Sequence, residues 1–312
     1  MTLTELRYLV NLDKERHFGR AAERSFVSQP TLSVAVKKLE DELGVTLFER
    51  SRGEARPTPV GERIIGQARR VLAEAHRVED IAREGHDELV GSLRLGAIYT
   101  VGPYLLPSLV PLMRRQAPQM PLVIEENFTA KLLEQLRDNE LDVALVALPV
   151  DLQGLDARPL YDEDFVVLMS PEHRWAGEKQ IPARRLAEEN LLLLGPGHCF
   201  REQVISACPK CVTDEGDGRR PHTGSSLETI RYMVISGLGI TVVPRSSVEN
   251  RADESSQLVA CPLAAPAPSR RIALVWRKTF PRHKAIDSLC KAIMGMKLKG
   301  VTFLSHADVE EE

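Results

Sequence analysis

The 312-residue chain lacks the excess of positive charge that would by itself announce a polyanion partner: 41 Lys and Arg face 44 Asp and Glu, a net of −3. Residues 1–58 repeat the balance, ten basic side chains against nine acidic, so nucleic-acid binding has to rest on local pattern and not on bulk charge. No apolar run approaches 18 residues, and charges stand within the first seven positions; both argue against a membrane span or a secretory leader. The expectation is a soluble, cytoplasmic protein. Internal repeats, low-complexity runs, His-Glu-x-x-His and the phosphate-binding Gly-rich loop are all missing. Cysteine is scarce: five residues, at 199, 208, 211, 261 and 290. In a reducing compartment they do not read as a structural disulfide framework, and any bond among them is expected to be transient and regulatory.

What is present begins with a DNA-binding pattern. Leu6, Leu9 and Val10 line one face of a first helix, and residues 17–24 make a short second one. Ser28 is a good N-cap and Pro30 fits the first turn of the helix it opens. Leu32, Val36, Leu39 and Leu43 then recur at i, i+4, i+7 and i+11, one buried stripe ending at Gly44. The opposite face offers Gln29, Thr31 and Ser33 to base edges, with Pro30 beside them, and Lys37 and Lys38 to phosphates. Arg50 and Arg52 sit on a Gly-containing hairpin tip that reads as a wing. From Pro59, the residues Ile64, Ala68, Val71, Ala75, Val78 and Ala82 alternate spacings of four and three. Such an a/d seam suits a dimerising linker helix, the plainer alternative being a stripe packed on its own domain.

From residue 91 the pattern changes to apolar strands alternating with helices. Strands are expected at 93–98, 122–126, 143–148, 165–169, 191–194, 240–243 and 272–276, with helical patterns at 132–139 and 227–236 between them. Alternation of this kind argues for α/β units with mainly parallel sheets and a ligand cleft between them.

Cys199 lies where a strand-like run, Leu191 to Leu194, gives way to a helix-like one. Unpaired N–H groups at a helix start favour a thiolate, and His198 and Arg201 add donors or positive charge nearby. The plain alternative is a small buried hydrophobe, the usual fate of a free cysteine. On one continuous helix, Cys199 and Cys208 would stand roughly 13–14 Å apart, whereas a disulfide needs less than about 7 Å. Bridging them would require unwinding. Cys208-Pro209-Lys210-Cys211 also fits half a zinc site or a thioredoxin-like motif, yet no second pair near His222 completes a metal set. Cys261 and Cys290 read as inert.

Ala21-Ala22, Ser28-Gln29-Pro30-Thr31-Leu32-Ser33, Leu39-Glu40, Leu43-Gly44, Leu47-Phe48-Glu49-Arg50 and Thr58-Pro59-Val60-Gly61 together resemble the winged helix-turn-helix of LysR-type transcriptional regulators. Within that family, His17-Phe18, residues 100–104, 197–201 and 225–229 resemble the hydrogen-peroxide-responsive activators. The resemblance covers about residues 1–300. It implies a winged helix-turn-helix (1–58), a linker helix (59–88) and an effector region of two α/β subdomains of periplasmic-binding-protein-like type (89–300); residues 301–312 read as a tail whose acidic end, 308–312, is frayed. Subdomain I would comprise about 89–161 and 269–300, and subdomain II about 162–268.

The resemblance further implies Cys199 as the peroxide-reactive thiol and Cys208 as its resolving partner, with Thr100, Thr129, His198 and Arg270 around the reactive sulfur. Cys211 supplies an alternative resolving thiol, and the identity of the partner stays open. The implied partners are double-stranded DNA, hydrogen peroxide, RNA polymerase during activation, a cellular thiol reductant and further copies of the chain as a homodimer or homotetramer. No cofactor, metal or membrane is implied. The runner-up is a regulator of the same family that binds a small organic metabolite in the inter-subdomain cleft. An enzyme such as a thiol peroxidase is disfavoured by the DNA-binding pattern.

Overall fold

The computed structural model describes residues 1–51, 54–84, 88–211, 222–249 and 257–304. Two compact units divide the chain, Met1–Gly85 and His86–Glu312.

The first unit runs α1 (Leu3–Glu15), α2 (Phe18–Arg24), α3 (Gln29–Leu43), β1 (Phe48–Ser51), β2 (Glu54–Pro57) and α4 (Pro59–Glu84). Its helix ends follow local chemistry. Thr2 and Glu5 form a reciprocal capping box, and the His17 ring nitrogen accepts the Gly19 and Arg20 N–H groups. Ser28 accepts from Thr31 N–H, and Gly44, at φ 68°, closes α3 in the left-handed region that glycine tolerates. Leu32, Val36 and Leu39 are buried as their spacing predicts, whereas Leu43 is exposed, lying one turn beyond the core. Strands β1 and β2 form the antiparallel wing, from Phe48 opposite Pro57 to Ser51 opposite Glu54.

The residues of the expected dimer seam fall in two stretches of α4 with different surroundings. Ala68 is buried in the core of this unit, and Ile64 and Val71 pack against that core together with the buried Ile65. Arg69 pairs with Asp13 at 2.8 Å and pins α4 to α1. The first half of the stripe thus packs in part within its own unit, with Ile64 and Val71 left half-buried. Val78, 68 % exposed, stands free of this core, while Ala75 is half-buried and the Ala82 side chain lies outside the described residues.

The second unit continues with β3 (Leu93–Ile98), α5 (Gly102–Gln116), β4 (Leu122–Asn127), α6 (Thr129–Arg137), β5 (Val143–Leu148), β6 (Leu155–Met169), β7 (Leu191–Leu194) and α7 (Cys199–Ala207). There follow β8 (Thr223–Gly224), α8 (Leu227–Ile235), β9 (Ile240–Pro244), α9 (Ser246–Glu249), β10 (Val259–Pro262), β11 (Ser269–Arg277), α10 (His283–Met294) and β12 (Thr302–Phe303). Strand order is β4-β3-β5-β11-β6-β9-β7-β8. The sheet is mixed and not mainly parallel: β11 runs antiparallel to β5 and β6, and β6 antiparallel to β9 and β10. The reason is topological. β6 carries the chain out of the first half and β11 brings it back, so the two long strands must oppose one another.

Two hydrophobic cores result. One gathers β3, β5, β11 and helices α5, α6 and α10; the other gathers Phe165–Met169, β7, α7, α8 and β9. Residues 301–304 are not the tail expected from sequence. Thr302 and Phe303 pair with Asp162 and Tyr161 on β6, and the Phe303 ring packs edge-on to Tyr161 at 5.9 Å. Residues 305–312 and the acidic stretch 214–218 lie outside the described residues. Among the described residues, no helix is long and apolar enough to cross a membrane.

Candidate redox site and DNA-binding face

Cys199 is the first residue of α7, reached from the fully buried strand β7 through a short turn. Gly197 bends that turn with φ 96°, a conformation that favours glycine, and a Cβ there would sit 3.2 Å from the Phe128 ring. The turn aims the thiol at the start of α6, across a small cavity lined by Ile98, Tyr99, Thr100, Asn127, Phe128, Thr129, Gly197, His198 and Cys199. About 10 Å³ of this cavity is open to a water-sized molecule. Two helix N-termini, those of α6 and α7, therefore converge on one confined space. Both present unpaired N–H groups and positive dipole ends.

Sequence reasoning grouped Thr100, Thr129, His198 and Arg270 around Cys199; the structure brings the first three to the cavity and sets Arg270 behind it. The Thr129 Oγ1 is buried with no hydrogen-bond partner in the protein. A buried hydroxyl without a protein partner is costly. His198 packs edge-on against Phe128 at 4.8 Å and Tyr99 at 5.8 Å. Desolvation pushes its pKa down from the ordinary value, and a hydrogen bond with the Ser225 backbone opposes this only in part. The imidazole is therefore held neutral, and the positive charge expected of it from sequence is withheld by burial. Arg201 is likewise committed elsewhere, donating from Nη1 to the Leu194 carbonyl at 2.8 Å.

Arg270 is completely buried and its guanidinium is fully employed. Nε donates to Glu163 Oε2 at 2.7 Å, Nη1 to the Thr100 hydroxyl oxygen at 2.7 Å and Nη2 to the Thr100 carbonyl at 3.0 Å. The ring of Phe200, the residue after Cys199, lies under the guanidinium at 5.1 Å. Arg270 thus fixes Thr100 as an acceptor and leaves the threonine proton free to point elsewhere. A charge this deep needs a counter-charge, and Glu163, also without exposed side-chain area, supplies it while accepting the Ser246 N–H at 3.2 Å. Sequence reasoning missed Glu163. Nothing in Asp162-Glu163-Asp164 shows which carboxylate turns inward, and only strand pleating decides. It also missed Tyr104 and Glu228, whose 3.0 Å hydrogen bond ties the turn after Thr100 to α8 in the other core.

The remaining cysteines separate cleanly. Cys208 caps the C-terminal end of α7, is 2 % exposed, and is bonded not to Cys199 but to Cys211, with Cα atoms 5.6 Å apart. Cys199, Cys261 and Cys290 are free thiols. Burial pushes the Cys261 and Cys290 pKa values up, which suits their expected inertness. Among the described residues, no group of His, Cys, Asp or Glu is placed to hold a metal ion.

On the first unit, Gln29, Pro30, Thr31 and Lys37 are exposed on α3 and Ser33 is half-buried. Lys38, expected at a phosphate, is exposed and donates to Glu5 at 3.2 Å, which holds that carboxyl below the usual carboxylate range. The Thr31 hydroxyl is shared with the cap residue Ser28 at 2.8 Å. Val34, 68 % exposed, and Phe26, 95 % exposed in the turn before α3, are apolar surface on this face that polar-pattern reasoning overlooked. Arg52 and the Arg50 side chain lie outside the described residues.

Comparison with known proteins agrees with this geometry. Residues 3–62 match the bacterial regulatory helix-turn-helix protein, lysR family, and residues 86–295 match the LysR substrate binding domain. The chain is 38 % identical over 293 residues to the DNA-binding transcriptional dual regulator OxyR of Escherichia coli K12, covering 94 % of this chain and 95 % of that one. A full-length OxyR variant from Pseudomonas aeruginosa superposes with a TM-score of 0.74 at 50 % identity, covering 96 % of this chain and 99 % of the other. A hydrogen-peroxide-bound OxyR mutant from Corynebacterium glutamicum gives 0.62 at 34 % identity, covering 94 % and 91 %.

Proposed function

The chain belongs to the LysR family of transcriptional regulators, in its hydrogen-peroxide-sensing OxyR branch, and from that premise we propose that peroxide is sensed at Cys199 in the cavity between α6 and α7. The observation that carries this reading is the partnerless, buried Thr129 hydroxyl facing a cavity of about 10 Å³ beside a free thiol. A pocket of that size has no room for an organic ligand, which fills several hundred Å³, and admits only the smallest molecules. This favours peroxide over a small metabolite.

The chemistry follows from the side chains. A Cys199 thiolate attacks one peroxide oxygen; the S–O bond forms, the O–O bond breaks, and hydroxide departs to become water on gaining a proton. Thr129 and Thr100 hydroxyls donate to the peroxide oxygens. The Thr100 proton is available because Arg270 occupies its oxygen as donor. Neutral His198 supplies a ring nitrogen that can accept the thiol proton. The product is a Cys199 sulfenic acid.

Cys208, with Cys211 as the alternative, then condenses with the sulfenic acid and releases water; its bond to the neighbouring cysteine has to be open for this. With α7 intact, a Cys199–Cys208 bond has roughly twice the reach a disulfide permits, so α7 unwinds. Unwinding withdraws Phe200 and Val204, both buried, from the second core, at a cost of about 1.5–3 kcal/mol each. It also strips Phe200 from Arg270, the residue that links β11, β6 and the Thr100 turn. Oxidation thereby biases a two-state element at the junction of the two cores. That bias reaches DNA through the spacing of paired helix-turn-helix units in a homodimer or homotetramer. Gln29 and Ser33 read bases, Lys37 contacts phosphate, and RNA polymerase is the partner during activation. A thiol-rich cytoplasm supplies the reductant that resets the bond.

The test is mass spectrometry of cysteine states, with and without dimedone, after stoichiometric peroxide, alongside DNA footprinting. Sulfenate or disulfide is expected at Cys199 with an altered footprint. An equal footprint response from Cys199→Ser would overturn the reading.

A further inference from the structure

The Cys208–Cys211 bond joins the residue that caps α7 to the last residue of the 3₁₀ turn directly after it, Pro209–Cys211. Cys211 N–H donates to the Cys208 carbonyl at 3.0 Å, and Cys208 N–H still closes the last turn of α7 on Val204 and Ile205. The bond therefore coexists with an intact α7 and with Cys199 in place at the cavity. The peroxide reading above demands the opposite of a Cys199–Cys208 bond, which spans roughly 13–14 Å of helix unless α7 comes apart. Two disulfides that share one sulfur thus select two different conformations of the same segment.

Resting on that reading, we infer that Cys208 and Cys211 form a second redox site, which takes the oxidation over from Cys199 by thiol–disulfide exchange. Cys211 is three residues from Cys208 in either conformation and half-buried, so it stays within reach when α7 is open. Its thiolate attacks the Cys208 sulfur of the Cys199–Cys208 bond. The new S–S bond forms as the old one breaks, the Cys199 sulfur leaves with the electron pair as thiolate, and the Cys211 proton passes to solvent or to that thiolate. No further oxidant is consumed: one peroxide has become two waters and two thiols have become one disulfide. The exchange runs toward Cys208–Cys211 because a disulfide held in a distorted segment is the more oxidising one, and because α7 regains its helix and its core contacts.

Two consequences distinguish this site from a spare thiol. The signalling bond terminates itself without an external reductant, and Cys199 recovers a free thiol able to take a second peroxide. A chain already bonded at Cys208–Cys211, as in this structure, has no resolving thiol, so its Cys199 stops at the sulfenic acid until a dithiol reductant opens the pair.

Fully reduced protein, mixed with one equivalent of peroxide and quenched by alkylation at successive times, is mapped by mass spectrometry. The wild type should pass through Cys199–Cys208 to Cys208–Cys211 with Cys199 alkylated; in a separate titration with excess peroxide it should consume about two equivalents per chain against about one for Cys211→Ser. Cys211→Ser, a half-buried position, should hold Cys199–Cys208 indefinitely. Persistence of Cys199–Cys208 in the wild type would overturn the relay. So would Cys208–Cys211 forming at the wild-type rate in Cys199→Ser, since the pair would then be oxidised on its own. Dimedone trapping at Cys199 in the Cys208→Ser variant reports separately on peroxide sensing, and a positive result keeps that reading standing even where the relay fails.

Discussion

Replacing Thr129 by valine separates a functional hydroxyl from a structural one. The Thr129 Oγ1 is buried without a protein partner, so valine, nearly the same shape, removes no internal hydrogen bond. An unsatisfied buried polar atom costs about 1–3 kcal/mol, and its loss should leave stability unchanged or raise it by up to about 1 kcal/mol. Reactivity should move the other way. A hydrogen bond to the charge developing on the leaving oxygen is worth about 1.5–3 kcal/mol. At about 1.36 kcal/mol per tenfold, that is a roughly 10- to 150-fold slower reaction of Cys199 with peroxide. Stopped-flow competition for peroxide measures the rate, and urea unfolding of the reduced protein measures the stability. A rate within about twofold of wild type would refute the role of the hydroxyl. A stability loss beyond about 1 kcal/mol would show instead that the protein bonds it internally. Thr100→Val provides the contrast: it deprives Arg270 of an acceptor and should both slow the reaction and destabilise the fold.

Glu163→Ala leaves the Arg270 guanidinium buried and unpaired, and should lower unfolding free energy by about 3–5 kcal/mol; a urea midpoint near that of the wild type would contradict this. Because burial lowers the His198 pKa below the ordinary 6.5, the unfolded chain binds a proton there before the folded one does. Stability should therefore be fully present above pH 6.5 and decline as pH falls through that value toward the lower folded pKa. A thermal-shift series in which His198→Gln shows the same acid decline as wild type would remove His198 as its source. On DNA, Gln29→Ala or Ser33→Ala should relax preference among sequences, and Lys37→Ala should weaken all sequences evenly and flatten the salt dependence. Lys38→Ala should change DNA affinity little, since its ammonium is tied to Glu5; binding assays over a salt series check all four.

Much of the fold was legible in the sequence because local forces write it there. The Ser28 cap, the Gly44 stop and the Leu32, Val36, Leu39 stripe follow from backbone capping and helical periodicity. Strands β5 and β7 were legible as uninterrupted apolar runs because both sheet faces are covered. The pieces that escaped are those whose partners are remote. Residues 155–164 of β6 mix charged, half-buried positions with buried ones without a period of two, so they do not resemble a strand until β11 lies beside them. Thr302–Phe303 become a strand only against β6. The a/d stripe in α4 records that something apolar covers it, not which surface does; within the unit, Ile64, Ala68 and Val71 pack on the helical core.

At the site the division is sharper. Sequence alone determined that a thiol opens a helix after a buried strand, with a histidine before it and two more cysteines within twelve residues. These are facts of order along the chain, and capping and periodicity convert order into local structure. Only the tertiary structure decided that Thr129, seventy residues away, faces that thiol with an unanswered hydroxyl, and that Arg270 serves Thr100 from behind instead of lining the cavity. It also decided that Glu163 is the buried counter-charge and that Cys208 meets Cys211 in this conformation. Hydrogen bonds, ion pairs and disulfides between distant residues depend on ångström-scale positions, and those positions are fixed only when the two cores close around them.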